Sequence, residues 1–136
     1  MGSPAQADYE LTKPVNKLEA EQDPDGHWRR YVNEQLQGDY AQLFALLDKL
    51  IVLSAPSFAC VYQWRLLQEQ KLAQQWTRAY PEKPSKILDP EAVKHFICHY
   101  QRITEHCLAT LPARADWQLQ LDEGHNIVAM SSKAYE

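Results

Sequence analysis

The chain has 136 residues, of which 45% are hydrophobic and 24% are charged. This size and balance fit one globular domain and exclude a largely disordered chain. The net charge of −4 argues against bulk electrostatic binding to nucleic acid or to an anionic membrane surface. No apolar run approaches the length of a membrane span, and the three cysteines form no CxxC pair. We therefore expect a cytoplasmic protein with reduced thiols, and neither nucleic acid nor a membrane as its partner.

The first part of the chain predicts a leader followed by two helices. Residues 1–13 lack periodicity and are predicted to be a disordered leader. After the turn residues Asp23–Gly26, apolar residues at spacings of three and four predict a helix over 27–37, which Gly38 ends. A second helix is predicted over 40–47, with its leucines mostly buried.

The second part of the chain predicts two longer helices and two strands. The predicted elements are helices over 57–75 and 90–111 and strands over 115–121 and 127–130. Two prolines among basic residues predict a loop over 76–86, and Pro112 is expected to stop the second helix. The ordered domain is expected to span residues 14–130, with residues 131–136 as a polar tail.

The run Leu50–Leu53 decides the predicted fold class. Four successive apolar residues predict a strand that is covered on both faces, as in a parallel sheet. A helix, this strand, a short loop around Pro56 and another helix form the repeating unit of an α/β fold. The two main predicted strands, Leu50–Leu53 and residues 115–121, make a poor sheet. We therefore expect that strands which should flank Leu50–Leu53 are missing.

A set of short motifs carries a resemblance to a known family. The motifs are Asn16-x-Leu18-Glu19, Asp23-x-Asp25-Gly26-x-Trp28-Arg29, Val32-Asn33, Ala55-Pro56-Ser57-Phe58, Trp64-Arg65-x-x-Gln68-Glu69, His99-Tyr100-Gln101-Arg102-x-Thr104, Pro112-Ala113-Arg114-Ala115-Asp116 and Leu121-Asp122-x-x-His125. Over about residues 14–126 the chain resembles the C-terminal half of glycerate-kinase-like P-loop kinases, relatives of uridine kinase, pantothenate kinase and phosphoribulokinase. The resemblance implies a three-layer α/β/α fold with few parallel strands and four main helices in this half. It also implies that three further strands would precede Met1.

The resemblance implies a family reaction that this chain lacks the parts to perform. In the family, the γ-phosphate of ATP passes to a small hydroxy acid with the help of Mg²⁺. No GxxxxGK[ST] motif occurs in this sequence, so the backbone cradle for the phosphates is absent, together with its lysine and its metal-binding hydroxyl. We therefore expect a truncated kinase that is catalytically silent, has no complete catalytic set and needs no cofactor of its own.

The resemblance assigns Arg65, Gln68 and Arg78 to the phosphate side of the family site. A guanidinium suits that role because its fork matches phosphate oxygens. The alternative for Arg65 is an internal ion pair with Glu69, four residues later on the same helix. Arg78, Lys83 and Lys86 lie in the predicted 76–86 loop and could close over phosphates as a lid, but we favour a solvated loop.

Two further groups are candidates for the substrate and for the nucleotide base. Arg29, Arg30 and Asn33 share one predicted helix and could contact an anionic substrate, or could lie on a solvated face. His125 and Asn126 follow a predicted strand, and the resemblance places that loop near the adenine. Turn formation alone explains Gly124-His125-Asn126 equally well.

A metal site is not expected. His95 and His99 share a helix face at a spacing of four, but no second pair of ligands completes a tetrahedral set. The alternative to a truncated kinase is a non-catalytic module of kinase ancestry that binds other proteins or oligomerises. Its basis is the free edge of the Leu50–Leu53 strand, which would need a homodimer or another partner to cover it.

Overall fold

The computed structural model of the chain describes residues 2–83 and 87–133, and these residues form a mixed α/β fold. The helices are α1 (Lys17–Gln22), α2 (His27–Gln37), α3 (Asp39–Ala45), α4 (Phe58–Ala79), α5 (Pro90–Cys98) and α6 (Gln101–Arg114). The strands are β1 (Ile51–Ser54), β2 (Trp117–Leu121) and β3 (Ile127–Ser132), and a 3-10 turn spans Asp8–Leu11. The predicted α/β class is confirmed. None of the helices in the described part of the chain has the length and hydrophobicity needed to cross a membrane.

The three strands form one sheet in the order β1-β2-β3. β1 and β2 run parallel, with Ile51 opposite Trp117 and Leu53 opposite Leu119, whereas β3 runs antiparallel to β2. The connection from β1 to β2 passes through α4, α5 and α6, as parallel strands require a long crossover. The parallel pairing expected of the Leu50–Leu53 strand is therefore confirmed, and β1 is an edge strand of this sheet.

Local signals explain where most helices begin. The carboxylate of Asp23 accepts a hydrogen bond from the N–H of Trp28 at 3.0 Å, in the first turn of α2. The Ser57 hydroxyl accepts from the N–H of Cys60 and caps α4, and the Asp89 carboxylate accepts from the N–H of Ala92 and caps α5. The bounds of α2 agree with the predicted residues 27–37.

Several helix boundaries differ from the prediction. The single helix expected over 90–111 is broken at His99–Tyr100 into α5 and α6. The expectation that Pro112 stops the helix is wrong, since α6 continues through it to Arg114 and the Ala115 N–H still donates to the Leu111 carbonyl at 2.9 Å. α4 extends to Ala79, so the loop expected over 76–86 begins later, and residues 84–86 lie outside the described part.

The expectation that residues 1–13 are disordered is wrong for the described residues 2–13. The N–H of Gln6 donates to the Asn33 side-chain oxygen at 2.7 Å, and the Asn33 amide donates back to the Gln6 carbonyl at 3.0 Å. Ser3 and Leu11 are buried. The segment is held by side chains of the helices that bind its backbone, which needs no periodicity in its own sequence. At the other end of the chain, the expected tail contributes Ser131 and Ser132 to β3, and residues 134–136 lie outside the described part.

Apolar burial is lower than the sequence predicts. The side chains of Ile51 and Leu53 in β1 are exposed, so this strand is not covered on both faces within the chain. The leucines Leu43, Leu46 and Leu47 of the second predicted helix are exposed as well. For β1 the reason is geometric, since among the described strands it has a neighbour on one side only.

Candidate functional site

A groove along α4 brings three of the predicted site residues together. Arg65 and Gln68 line it from α4, and His125 lines it from the turn between β2 and β3. Its volume is about 570 Å³, and its His125 end belongs to the turn that follows the C-terminal end of β2, the strand parallel to β1. Open α/β sheets commonly place ligands at that end of their parallel strands.

Trp64 fixes the turn between β2 and β3 against α4. Its indole N–H donates to the Glu123 carbonyl at 2.7 Å. Its ring lies over the His125 imidazole, with the ring centroids 4.0 Å apart and the planes inclined by 33°. Because Trp64 and His125 are far apart in the chain, only the fold brings them into contact. The stacked pair gives one end of the groove an aromatic wall.

The turn itself is organised by Asp122. Its Oδ1 accepts from the N–H groups of Gly124 and Asn126, each at 2.8 Å, and Oδ2 accepts from the Asn126 side-chain amide at 3.0 Å. The hydrogen bond from the Asn126 side chain is the largest of the interactions that lower the pKa of Asp122. The bonds also hold His125 in the left-handed region, at φ 67°. The Asn126 side chain is thus engaged within the turn, while the His125 ring faces the groove.

Arg65 makes the internal ion pair that the sequence offers as its alternative role. One guanidinium nitrogen donates to the Gln68 side-chain oxygen at 2.7 Å, and another pairs with the Glu69 carboxylate. The guanidinium lies over the Phe96 ring, 5.6 Å from its centroid. Glu69 is buried and also accepts from the N–H of Leu88 at 3.1 Å, so the pair joins α4 to the segment before α5.

The charge along the groove is positive. Arg65 and Lys71 line it, and no acidic side chain does. Because the Glu69 carboxylate pairs with the Arg65 guanidinium, Lys71 is the exposed cation of the groove that an anionic ligand would meet first. The groove can therefore hold an anion beside a flat aromatic surface. A ligand suited to it would have a ring that carries a phosphate or carboxylate group.

Arg78 does not share this groove. It lies in the last turn of α4, thirteen residues beyond Arg65, which corresponds to about 20 Å along a helix. Its side chain is exposed. Of the other basic residues considered for a lid, Lys83 lies over the Tyr80 ring at 4.9 Å, and Lys86 falls outside the described residues. The structure does not bring Arg65 and Arg78 together.

Arg29 and Asn33, the substrate-side candidates, are buried in structural contacts. The Nε of Arg29 donates to the Leu11 carbonyl at 2.7 Å, and Nη1 donates to the Asp23 carbonyl at 2.7 Å. Arg30 is exposed and donates to the Asp25 carbonyl. Arg29 lines a cavity of about 340 Å³ whose lining does not include Arg30 or Asn33. The three residues thus share α2 without lining that cavity together, and their contacts favour a structural role for Arg29 and Asn33.

Arg102 is a second buried arginine, and the sequence alone did not identify it as a candidate for a structural or functional role. Arg102 donates to both oxygens of the Glu19 carboxylate, at 2.8 and 2.7 Å, and to the carbonyls of Glu10 and Lys13, at 2.9 and 2.7 Å. The available signal was Asn16-x-x-Glu19, because the Asn16 side chain caps α1 and thereby positions Glu19.

The carboxylates paired with these arginines are held in the charged form. Burial raises the pKa of Glu19, but hydrogen bonds from the Arg102 side chain and the Val15 N–H outweigh it and leave the pKa below its ordinary value. Burial also opposes the shift at Asp23, where the N–H groups of Trp28 and Arg29 lower the pKa. Both acids therefore stabilise the buried guanidinium groups near neutral pH.

No group of three metal-binding side chains occurs in residues 2–83 and 87–133. The ring centroids of His95 and His99 lie 5.4 Å apart, and the described residues supply no third metal ligand beside this pair. A comparison with known proteins finds no matching family model, curated protein or solved structure.

Proposed function

We propose that this chain is the C-terminal part of a glycerate-kinase-like P-loop kinase domain and is catalytically silent by itself. The observation that carries the proposal is the parallel β1–β2 pair, with β1 at an edge and with the turn after β2 contributing His125 to the α4 groove. A parallel strand with a free edge fits a larger sheet that continues on that side. The groove then supplies Arg65 and His125 to a site whose phosphate cradle lies on other strands.

We expect no catalysis by this chain alone because it lacks groups that phosphoryl transfer requires. Catalysis there depends on positioning and on charge stabilisation by a phosphate-binding loop and Mg²⁺. The sequence has no GxxxxGK[ST], and Arg65 is paired with Glu69. ATP and Mg²⁺ thus belong to the complete family site, and this chain contributes side chains to one part of it.

The proposal can be tested by complementing the missing half. The chain is assayed for phosphorylation of D-glycerate by ATP, first alone and then with a separately expressed P-loop half of a glycerate kinase. We expect no turnover alone and measurable turnover with the added half. Arg65→Gln should reduce the restored turnover at least tenfold, after correction for folded protein. Lys94→Gln is the matched control, since it alters an exposed cation of α5 outside the groove.

Two results would contradict the proposal. Turnover by the chain alone would show that it is not catalytically silent, and micromolar ATP affinity in calorimetry would show that the nucleotide site does not need the phosphate-binding loop. Failure of every glycerate-kinase P-loop half to bind the chain would remove the support for a kinase fold.

A second candidate function is a non-catalytic module of kinase ancestry that oligomerises. The observation that favours it is the exposure of apolar side chains on β1, where Ile51 and Leu53 have no covering element among the described residues. A surface of this kind is typical of protein interfaces rather than of an isolated monomer.

A further inference from the structure

A second cavity lies away from the α4 groove, where α1, the start of α2 and the end of α5 meet. Its volume of about 340 Å³ is within the range of small-molecule sites. The charged side chains of Glu19, Asp23 and Arg29 are part of its lining, and so is Trp28, which is 70% exposed. We name it the α1–α2 cavity.

The guanidinium of Arg29 has one nitrogen to spare beside this cavity. Its Nε donates to the Leu11 carbonyl, and its Nη1 donates to the main-chain carbonyl and the carboxylate of Asp23. Its Nη2 makes no hydrogen bond within residues 2–83 and 87–133, although the side chain is only 4% exposed. A buried N–H group without an acceptor costs free energy, so Nη2 is suited to an acceptor that enters from outside.

The other buried arginine shows that a purely structural role does not leave a nitrogen unused. All three guanidinium nitrogens of Arg102 donate to oxygens of Glu19, Glu10 and Lys13. The Nη2 of Arg29 is also not sealed in the interior, because the sealed side-chain nitrogens without a partner in the described part of the chain belong to other residues. It is therefore within reach of a molecule in the cavity that Arg29 lines.

The two carboxylates of the cavity keep room for a donor. Glu19 accepts from two nitrogens of Arg102 and from the Val15 N–H. Asp23 accepts from the N–H groups of Trp28 and Arg29 and from the Arg29 side chain. An ionised carboxylate has about four acceptor positions, so each has capacity for about one more hydrogen bond.

This set of groups selects against charged ligands. An anion that accepts from Arg29 would also meet the carboxylates of Glu19 and Asp23, and a cation that binds those carboxylates would meet the guanidinium. A hydroxyl satisfies both kinds of group, because it donates one hydrogen bond and accepts two. Trp28 adds an aromatic ring to the wall, and the face of such a ring attracts the C–H groups of a sugar through its negative π-system.

We propose that the α1–α2 cavity binds a neutral sugar. One sugar hydroxyl accepts from the Nη2 of Arg29 and donates to the carboxylate of Glu19 or Asp23, while the ring of Trp28 packs against the C–H groups. This site goes beyond the proposed kinase function and does not rest on it, since it shares no residue with the α4 groove.

Isothermal titration calorimetry tests the ligand class. D-glucose, D-galactose and D-ribose are titrated separately into the full chain, and we expect at least one of them to bind saturably with a dissociation constant of about 1 mM or lower. D-glucuronate is the matched anion, and it should bind at least tenfold more weakly than D-glucose. Absence of saturable binding of all three sugars at ten times that concentration would overturn the proposal, and so would a preference for D-glucuronate.

Substitution of the aromatic wall locates the site. Trp28→Ala should weaken binding of the sugar at least tenfold, whereas Trp28→Phe keeps an aromatic ring and should weaken it less. Tyr9→Ala is the matched control, because Tyr9 is an aromatic residue that is 76% exposed and does not line the cavity. Far-UV circular dichroism should show that the three variants keep the fold. Unchanged affinity in Trp28→Ala would place the sugar elsewhere and refute this site.

NMR of the arginine side chains tests the contact with Nη2 directly. In a chain with ¹⁵N-labelled arginine, the sugar should shift the Nη2 proton signals of Arg29 and leave those of Arg102 in place. Binding without any change at Arg29, or with the larger change at Arg102, would contradict the proposed contact. Both measurements omit ATP and any P-loop half, so their outcome is independent of the kinase assay.

Discussion

Replacing Arg102 should lower the free energy of unfolding more than replacing Arg114, the other arginine of α6. Its side chain is 7% exposed and that of Glu19 is 15% exposed, so solvent screens the pair only weakly. Arg102→Met removes two hydrogen bonds to the Glu19 carboxylate and one each to the carbonyls of Glu10 and Lys13. Removing one partner of a buried ion pair costs about 3–5 kcal/mol, because the other charge stays buried without compensation.

The loss should be visible in urea unfolding followed by far-UV circular dichroism. With a slope of about 2 kcal/mol per molar, a loss of about 4 kcal/mol lowers the urea midpoint by about 2 M. Arg114→Met is the matched control: it removes an exposed arginine at the end of the same helix and should change stability by less than about 0.5 kcal/mol. The double variant Arg102→Met with Glu19→Met should be more stable than Arg102→Met alone, since no buried carboxylate is left unpaired.

Two results would refute this reasoning. A loss below about 1 kcal/mol for Arg102→Met would mean that water replaces the guanidinium at little cost. A double variant that is less stable than Arg102→Met alone would mean that Glu19 stabilises the fold without its arginine.

Three further changes test other contacts of the fold. The free energy of unfolding measured in urea should fall in acid. The reason is that the folded-state pKa values of Glu19 and Asp23 lie below their ordinary values of 4.5 and 3.8. The two carboxylates contribute fully to stability above those ordinary values, and the contribution is lost as pH falls through the lower folded-state pKa values. A flat profile across that window would contradict this. Gly26→Ala should cost about 1–2 kcal/mol in thermal or urea unfolding, since φ is 74° and an added Cβ would lie 2.9 Å from a buried guanidinium nitrogen; an unchanged midpoint would contradict it. Arg65→Gln should cost about 1–3 kcal/mol by leaving the buried Glu69 without its cation, and hydrogen exchange at the start of α5 should quicken; unchanged protection there would show that the pair does not join these elements.

The sequence predicts well those elements whose signals are local. α2 begins after the Asp23–Gly26 turn and ends before Gly38, and both signals lie within the chain segment itself. The break at His99–Tyr100 was missed because neither residue is a helix breaker. The ordered path of residues 2–13 was missed because side chains distant in sequence bind their backbone groups, and any sequence offers those groups.

The candidate site was predictable in its local part only. The Arg65–Glu69 pair follows from a spacing of four on a helix, and the sequence offers it as an alternative. The stacking of Trp64 on His125 depends on the register of β3 and on the turn that Asp122 organises. Composition and periodicity carry no information on such a contact, because the two rings meet only after the sheet has formed.

The residues that carry the family resemblance also explain what the resemblance can and cannot imply. Asn16 caps α1, Asp23 binds the first turn of α2, and Arg29 and Arg102 hold the backbone of residues 2–13. Each of these side chains fixes the path of the main chain, and none of them lines the α4 groove. Shared residues with architectural roles imply a shared backbone arrangement, whereas a shared reaction depends on the groups that touch the substrate. The motifs around these residues therefore bear on the proposed fold. The motif residues Arg65, Gln68 and His125 line the groove instead, so the proposed chemistry has to be tested there.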